Sequence, residues 1–180
     1  ERAYFLQEKG TDRRLVLKGV KNKYSWVDKG SSYLLSDILA AMLYAQLEKE
    51  EAIRTKRSAI TDAYSNLFAP FMNKGHIQML SSTDDHKLNH HAFWVVFDTM
   101  ENSVRFMEML REKNVSVYIG YLPLHSAPMG LKYGYKAEDL PLTEDLASRI
   151  TRLPFYTDLA DNGLEYCIES MNEVLNKIYQ

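Results

Sequence analysis

The stretch DKGSSYLLSDILAAMLYAQLE, residues 28–48, runs a small polar turn straight into a long apolar pattern. Gly30, Ser31 and Ser32 expose backbone and two hydroxyls, the makings of an anion contact, yet the glycine spacing is that of no standard phosphate loop. Ser36 suits the cap of the helix that follows, and Asp37 sits favourably at its positive end. Ile38, Leu39, Met42, Ala45 and Leu47 make an apolar surface wide enough for burial on most sides. From Glu48 the pattern narrows to Ile53, Arg57, Ile60, Tyr64 and Leu67, the stripe of a helix with one wet face, Arg57 apart. Pro70 is expected to end it. A single helix over residues 36–70 would reach about 50 Å at about 1.5 Å per residue, a length suited to bridging two domains.

Upstream, ERAYFLQEKG (residues 1–10) reads as the last turns of a helix closed by Lys9 and Gly10, so the chain is expected to be cut from something longer. Residues 11–32 read as an ordered loop with a short strand or hairpin around Leu15 to Val20, held by Tyr24 and Trp26. Downstream, Asn73 to His76 is a turn, His91 to Phe97 a strand apolar on both faces, and Asn102 to Lys113 a helix. VSVYIGYLPLH (residues 115–125) reads as the next strand, stopped by Pro123. Thr143 is placed to cap a short helix through Arg152, LPFY (153–156) is extended, and Asn162 to Tyr179 is a final amphipathic helix. Strand and helix alternate after about residue 75, which predicts a compact α/β or α+β module.

With 180 residues, 46% of them hydrophobic and 26% charged, the chain has a globular profile. A net charge of −2 supplies no field to recruit nucleic acid or an acidic membrane, and no apolar run is long enough to span a bilayer. A single cysteine, Cys167, excludes an internal disulfide and lies on a helix stripe, where it reads as a small buried hydrophobe. HKLNHH gathers His86, His90 and His91, but neighbours in a strand point to opposite faces, so a metal site is not expected. Two loops carry candidate chemistry: DKGSSY, with hydroxyls beside an incoming helix, and GYLPLHSAPMG (120–130), with Tyr121 and His125 at a strand's end.

These loops, with EKGTDR (8–13), KYSWVDKGSSYLLSD (23–37), AAMLYAQLE (40–48), YLPLHSAPMG (121–130) and RLPFY (152–156) in that order, resemble the C-terminal half of the DegT/DnrJ/EryC1/StrS sugar aminotransferases. Within that family the resemblance is strongest to the dTDP-4-oxo-6-deoxy-D-glucose transaminases of enterobacterial common antigen and lipopolysaccharide biosynthesis. It implies a fold-type-I, pyridoxal-phosphate-dependent transferase, cytoplasmic and active as a homodimer. Residues 1–35 would be the tail of the large cofactor-binding domain, 36–70 an interdomain helix, and 71–180 a small mixed-sheet domain.

The resemblance places the Schiff-base lysine upstream of Glu1, so no catalytic residue is expected in this chain and the chain alone is expected to be inactive. Ser32, with Ser31, falls where the family contacts the cofactor phosphate of the neighbouring subunit; where the wider family often has asparagine and arginine, Ser32 and Leu34 stand here. Backbone N–H groups and a serine hydroxyl are expected to serve in their place without adding charge. Tyr121 and His125 match the family's YxPLH segment near the sugar nucleotide, and Tyr33 is a further substrate contact. Close relatives tend to carry histidine before that tyrosine, and Gly120 stands here instead. The implied reaction takes an amino group from glutamate to the C4 ketone of a dTDP-linked keto sugar. Two rivals remain: a non-catalytic interaction or sensory module on the same scaffold, and an aminotransferase for a different nucleotide keto sugar.

Overall fold

A computed structural model describes residues 1–79 and 88–180, and His86 lies outside them. The chain forms two compact units, residues 1–50 and 51–180.

The first unit begins with helix α1 (Arg2–Gln7), which ends where Lys9 and Gly10 both take left-handed backbone, φ 56° and 73°. Helix α2 (Arg13–Leu17) follows, where the sequence suggests a strand or hairpin. Arg and Leu are good helix formers, and a single turn is too short for periodicity to distinguish from a strand. The backbone then doubles back, with isolated antiparallel bridges joining Glu8 to Ser32 and Thr11 to Trp26. Two glycines permit this approach: a Cβ on Gly10 would stand 1.7 Å from the Asp28 carbonyl oxygen, and one on Gly30 would stand 2.2 Å from the Gly10 nitrogen.

Helix α3 (Asp37–Leu47) is capped as expected, the Leu39 N–H donating to Ser36 Oγ at 3.3 Å. Its apolar residues surround the helix, and Ile38, Leu39, Met42, Leu43, Tyr44 and Leu47 are all exposed. The long helix expected over 36–70 is two helices. Helix α4 (Glu50–Asn73) starts after a tight turn at Glu48 and Lys49. Glu48 and Glu51 would share a face of an unbroken helix three residues apart, a like-charge pair that disfavours continuation. Helix α4 also runs through Pro70 rather than stopping there. Phe71 is buried and its ring lies 5.9 Å from that of Tyr179, packing that holds the last turn despite the missing N–H.

In the second unit β1 (Ile77–Met79), β2 (Trp94–Phe97), β3 (Tyr118–Ile119) and β4 (Ile150–Arg152) form one sheet in the order β1-β2-β4-β3. The sheet is antiparallel at every pair, where a mixed sheet is expected. The cause is topological: β2 and β3, linked through helix α5 (Met100–Glu112), run parallel, and β4 inserts antiparallel between them. Strand β4 takes residues expected to end a helix. Helix α7 (Pro141–Arg149) starts with proline at its first position, so Leu140 rather than Thr143 precedes it, and it yields to the β-branched pair Ile150 and Thr151. The strand expected from Val115 to a stop at Pro123 is only the two residues of β3; the Gly120 N–H still donates to the Ile150 carbonyl at 3.3 Å, and no pairing continues beyond it among the described residues.

Helices α5 and α8 (Leu164–Tyr179) pack on each other, with α5 against β2 and β4. Their stripes meet Tyr64, Phe68 and Ile60 of α4 in a core of Phe93, Val95, Phe97, Phe106, Leu110, Met171, Val174 and Leu175. Cys167 is buried on the α8 stripe, and burial raises its thiol pKa. The Ser103 and Thr151 hydroxyls, fully buried, satisfy one another at 2.9 Å across α5 and β4.

The exposed apolar girdle of α3 generates a prediction. Ile38→Glu combined with Met42→Glu is expected to reduce hydrophobic-dye binding and concentration-dependent association of the 180-residue chain. The melting temperature should stay unchanged, because neither side chain is buried. Dye fluorescence, light scattering and a thermal melt check this together.

Candidate functional site

The candidate residues fall in both units: Ser31, Ser32 and Tyr33 in the first, Tyr121 and His125 in the second.

In the first unit the turn is pinned to the end of α1. Ser31 N–H donates to the Leu6 carbonyl, Tyr33 N–H to the Gln7 carbonyl, and Lys9 N–H to the Ser31 carbonyl, each at 3.0 Å. The backbone amides of Ser31 and Tyr33 are therefore spent within the unit. The Ser31 and Ser32 hydroxyls and the Ser32 amide have no partner among the described residues, and both serines are exposed. Two hydroxyls and one amide suit a single phosphate oxygen or two. They fit the edge of a phosphate site rather than the whole of one.

The charges beneath the turn are internally balanced. Arg2 Nε donates to Asp28 Oδ2 at 2.7 Å, and this bond holds the Asp28 carboxyl below its usual range. Asp12, only 2% exposed, receives Lys21 Nζ at 2.5 Å and the Ser25 N–H at 2.6 Å. Lys21 first and the Ser25 amide second lower its pKa.

In the second unit Tyr121 is 84% exposed, and the Arg152 guanidinium carbon lies 5.8 Å from its ring centroid. His125, expected to meet a substrate, is instead buried. Its Nε2 faces Glu144 Oε1 of α7 at 3.2 Å and the Ala137 carbonyl at 3.4 Å. A carbonyl only accepts, so Nε2 is the donor in the Ala137 contact. His125 thus meets its own chain, and Tyr121 is the exposed member of the pair.

His90 and His91 precede β2 rather than lying in it, and His90 has a left-handed φ of 49°. His90 Nδ1 meets Thr61 Oγ1, and His91 Nδ1 meets Asn89 Oδ1, each at 3.0 Å. Arg57 donates to both their carbonyls, at 2.9 and 3.0 Å, and stacks over Phe155. The one cation in the α4 stripe therefore ties the loop down, a role its position among apolar neighbours hints at. His91 also borders a cavity of about 530 Å³ that includes Asn114, Ser116, Tyr118, Arg152 and Tyr156. The sequence marks Arg57 as the exception in its stripe and places Arg152 in RLPFY, but points to no role for either or for Glu144. An isolated charge on an apolar stripe was the available signal for the first, and nothing local marks the other two.

Residues 1–172 match the model of the DegT/DnrJ/EryC1/StrS aminotransferase family. The GDP-perosamine synthase of Escherichia coli O157:H7 is 29% identical over 170 residues, covering 90% of this chain and 43% of that protein. The dTDP-3-amino-3,4,6-trideoxy-alpha-D-glucose transaminase of Micromonospora megalomicea subsp. nigra is 27% identical over 167 residues, covering 91% and 44%. The chain thus spans less than half the length of these relatives. Its fold matches the aminotransferase TlmJ from Streptoalloteichus hindustanus with a TM-score of 0.77 at 20% identity, over 98% of this chain and 45% of that one. It matches DesV of S. venezuelae with a TM-score of 0.77 at 22% identity, over 96% and 43%.

Asp12 allows a pH prediction. A carboxyl whose folded pKa is lowered contributes stability that is complete above its unfolded value, about 4, and is lost as pH falls through the folded value. The contact between residues 12 and 25 is expected to loosen below pH about 4. Asp12→Asn should flatten that dependence, read from the exchange rate of the Ser25 amide proton.

Proposed function

The chain belongs to the DegT/DnrJ/EryC1/StrS aminotransferase family, and from that membership we propose that it is the C-terminal portion of a sugar-nucleotide aminotransferase. The complete enzyme would move an amino group from glutamate to the C4 ketone of a dTDP-4-keto-6-deoxy sugar, in the cytoplasm, for cell-surface polysaccharide synthesis. The observation that carries this reading is the family match over residues 1–172, by a chain under half the length of its relatives. Residues 1–35 would complete the large domain, 36–70 connect, and 71–180 form the small domain; the structural division at residue 50 falls within that connection.

Pyridoxal 5'-phosphate, the cofactor of the family, supplies the electron sink through which an amino group is exchanged for a ketone. This chain's own contribution is binding and orientation. Ser32, helped by Ser31, would offer its free hydroxyl to a phosphate oxygen across a homodimer interface, adding hydrogen bonds without a charge. Tyr33 and Tyr121, both exposed, would contact the sugar nucleotide. No proton-transferring residue is assigned to this chain, and the base that moves protons belongs upstream. A second reading, a different nucleotide or ketone position, is favoured by the similarity to GDP-perosamine synthase and by Gly120 at the position where close relatives carry histidine.

The test is the complete protein, loaded with cofactor and given glutamate with dTDP-4-keto, GDP-4-keto and dTDP-3-keto sugars in parallel. Mass spectrometry should find a 4-amino sugar in the first arm. An amino sugar only in another arm supports the second reading, and none in any arm leaves a non-catalytic module. Ser32→Ala is expected to weaken cofactor retention by roughly twofold to tenfold, the worth of one hydrogen bond, with the fold intact by circular dichroism.

A further inference from the structure

Residues 121–142 leave the sheet after β3 and return to it through α7, and only His125 and Gly130 in that span are buried. Everything else in it that is large and apolar, including Tyr121, Leu122, Leu124 and Met129, is exposed. A segment with so few buried groups has little holding it in one conformation. One polar side-chain contact ties it to α7, and one close backbone approach holds its own turn. The first is His125 Nε2 between Glu144 Oε1 and the Ala137 carbonyl. The second is Gly130 of helix α6 (Pro128–Lys132), where an added Cβ would stand 2.1 Å from the His125 carbonyl oxygen and 2.3 Å from that of Leu124, a contact within the loop that keeps its own turn closed around His125.

The anchor beneath is firm. Helix α7 packs on β2 and β3, and Arg149 at its end donates to the Phe97 carbonyl at 2.5 Å. Glu144 Oε1 is itself buried and has no hydrogen bond of good geometry to any group among the described residues. His125 Nε2, 3.2 Å away, is the polar group that faces this oxygen.

We infer that His125 and Glu144 are positioning residues: they fasten the 121–142 loop to α7 and so hold Tyr121 where it meets the sugar nucleotide. The inference rests on the functional reading above for what Tyr121 meets, and on this structure alone for the fastening. It removes His125 from the surface that touches substrate and adds Glu144, which sequence did not suggest.

The experiment uses the complete protein. Hydrogen exchange is read on the amides of residues 121–136, and steady-state kinetics on the sugar nucleotide. His125→Leu, Glu144→Ala and Gly130→Ala are each expected to speed loop exchange by about tenfold or more, the loss of one buried polar contact or its displacement. Each should raise KM for the sugar nucleotide in the same order, with kcat changed less. His125→Gln keeps a donor near the Nε2 position and should recover part of both effects. If His125→Leu raises KM while loop exchange is unchanged, His125 touches the substrate and the inference is overturned. If loop exchange rises in all three variants and KM does not move, the positioning role is likewise overturned. Should His125→Leu fail to fold, Gly130→Ala and Glu144→Ala carry the same comparison. A wild-type protein without aminotransferase activity fails the functional reading, and the exchange measurements still decide the fastening.

Discussion

Strand β4 enters the gap between β2 and β3, and the second unit is arranged around that insertion. Trp94 to Val96 on one side and Tyr118 to Ile119 on the other take their pairing from the same three residues, Ile150 to Arg152. Without β4 the parallel strands β2 and β3 would have no common partner, and α5 would cover a split sheet. The buried Ser103–Thr151 hydrogen bond sits at this seam and ties the crossover helix to the inserted strand. To reach the gap the chain must leave β3, travel over the surface and come back, and residues 120–149 are that excursion. The exposed Tyr121 loop is thus the by-product of a pairing requirement, placed at the sheet's end because β3 stops after two residues. Loops created this way are free to vary in chemistry while their ends are fixed by the strands.

A different constraint shapes the first unit, the contact of backbone with backbone. Gly10 and Gly30 lie against one another and against Asp28 at distances no side chain tolerates. Two of the segments that carry the family resemblance, EKGTDR and KYSWVDKGSSYLLSD, are therefore two sides of one contact. Their glycines are explained by close approach, and Asp12 and Asp28 are explained as buried or paired anchors under it. What is left to face outward is the pair of serine hydroxyls, which is why the turn reads as polar but not as a complete anion cradle.

How much of this was legible follows from the range over which each signal acts. Helices α5 and α8 carry long amphipathic stripes and a threonine cap at Thr99, and the sequence locates both within two residues. The alternating strand–helix order and the family resemblance reach the fold class. The break at Glu48 and Lys49 falls inside an otherwise helical pattern, and periodicity passes over it. Strand β4 is three residues long and abuts α7 without a turn, so neither a period nor a breaker marks it. At the candidate site the residue types were legible and their surroundings were not. Ser31 and Ser32 could be named from the turn, but the spending of the neighbouring amides on Leu6 and Gln7 depends on a contact across the unit. His125 could be named as a polar residue at a strand's end, but its burial depends on Glu144, which lies on a helix whose placement follows from β4.

The candidate residues of the two units differ in how they are held. In the first unit the turn is set by backbone hydrogen bonds and glycine contacts, so its geometry is insensitive to most side-chain changes except at those glycines. In the second unit the loop is set by one histidine, one glutamate and one glycine, with an apolar surface left bare above them. A side-chain clasp of that kind is cheaper to alter than a backbone ladder, since one substitution frees the whole segment while the core below is untouched. A phosphate contact must be the same for every substrate, whereas a sugar contact must differ between them. Under the proposed function, a rigid backbone turn carrying the hydroxyls would serve the first demand and a singly fastened loop carrying the tyrosine the second.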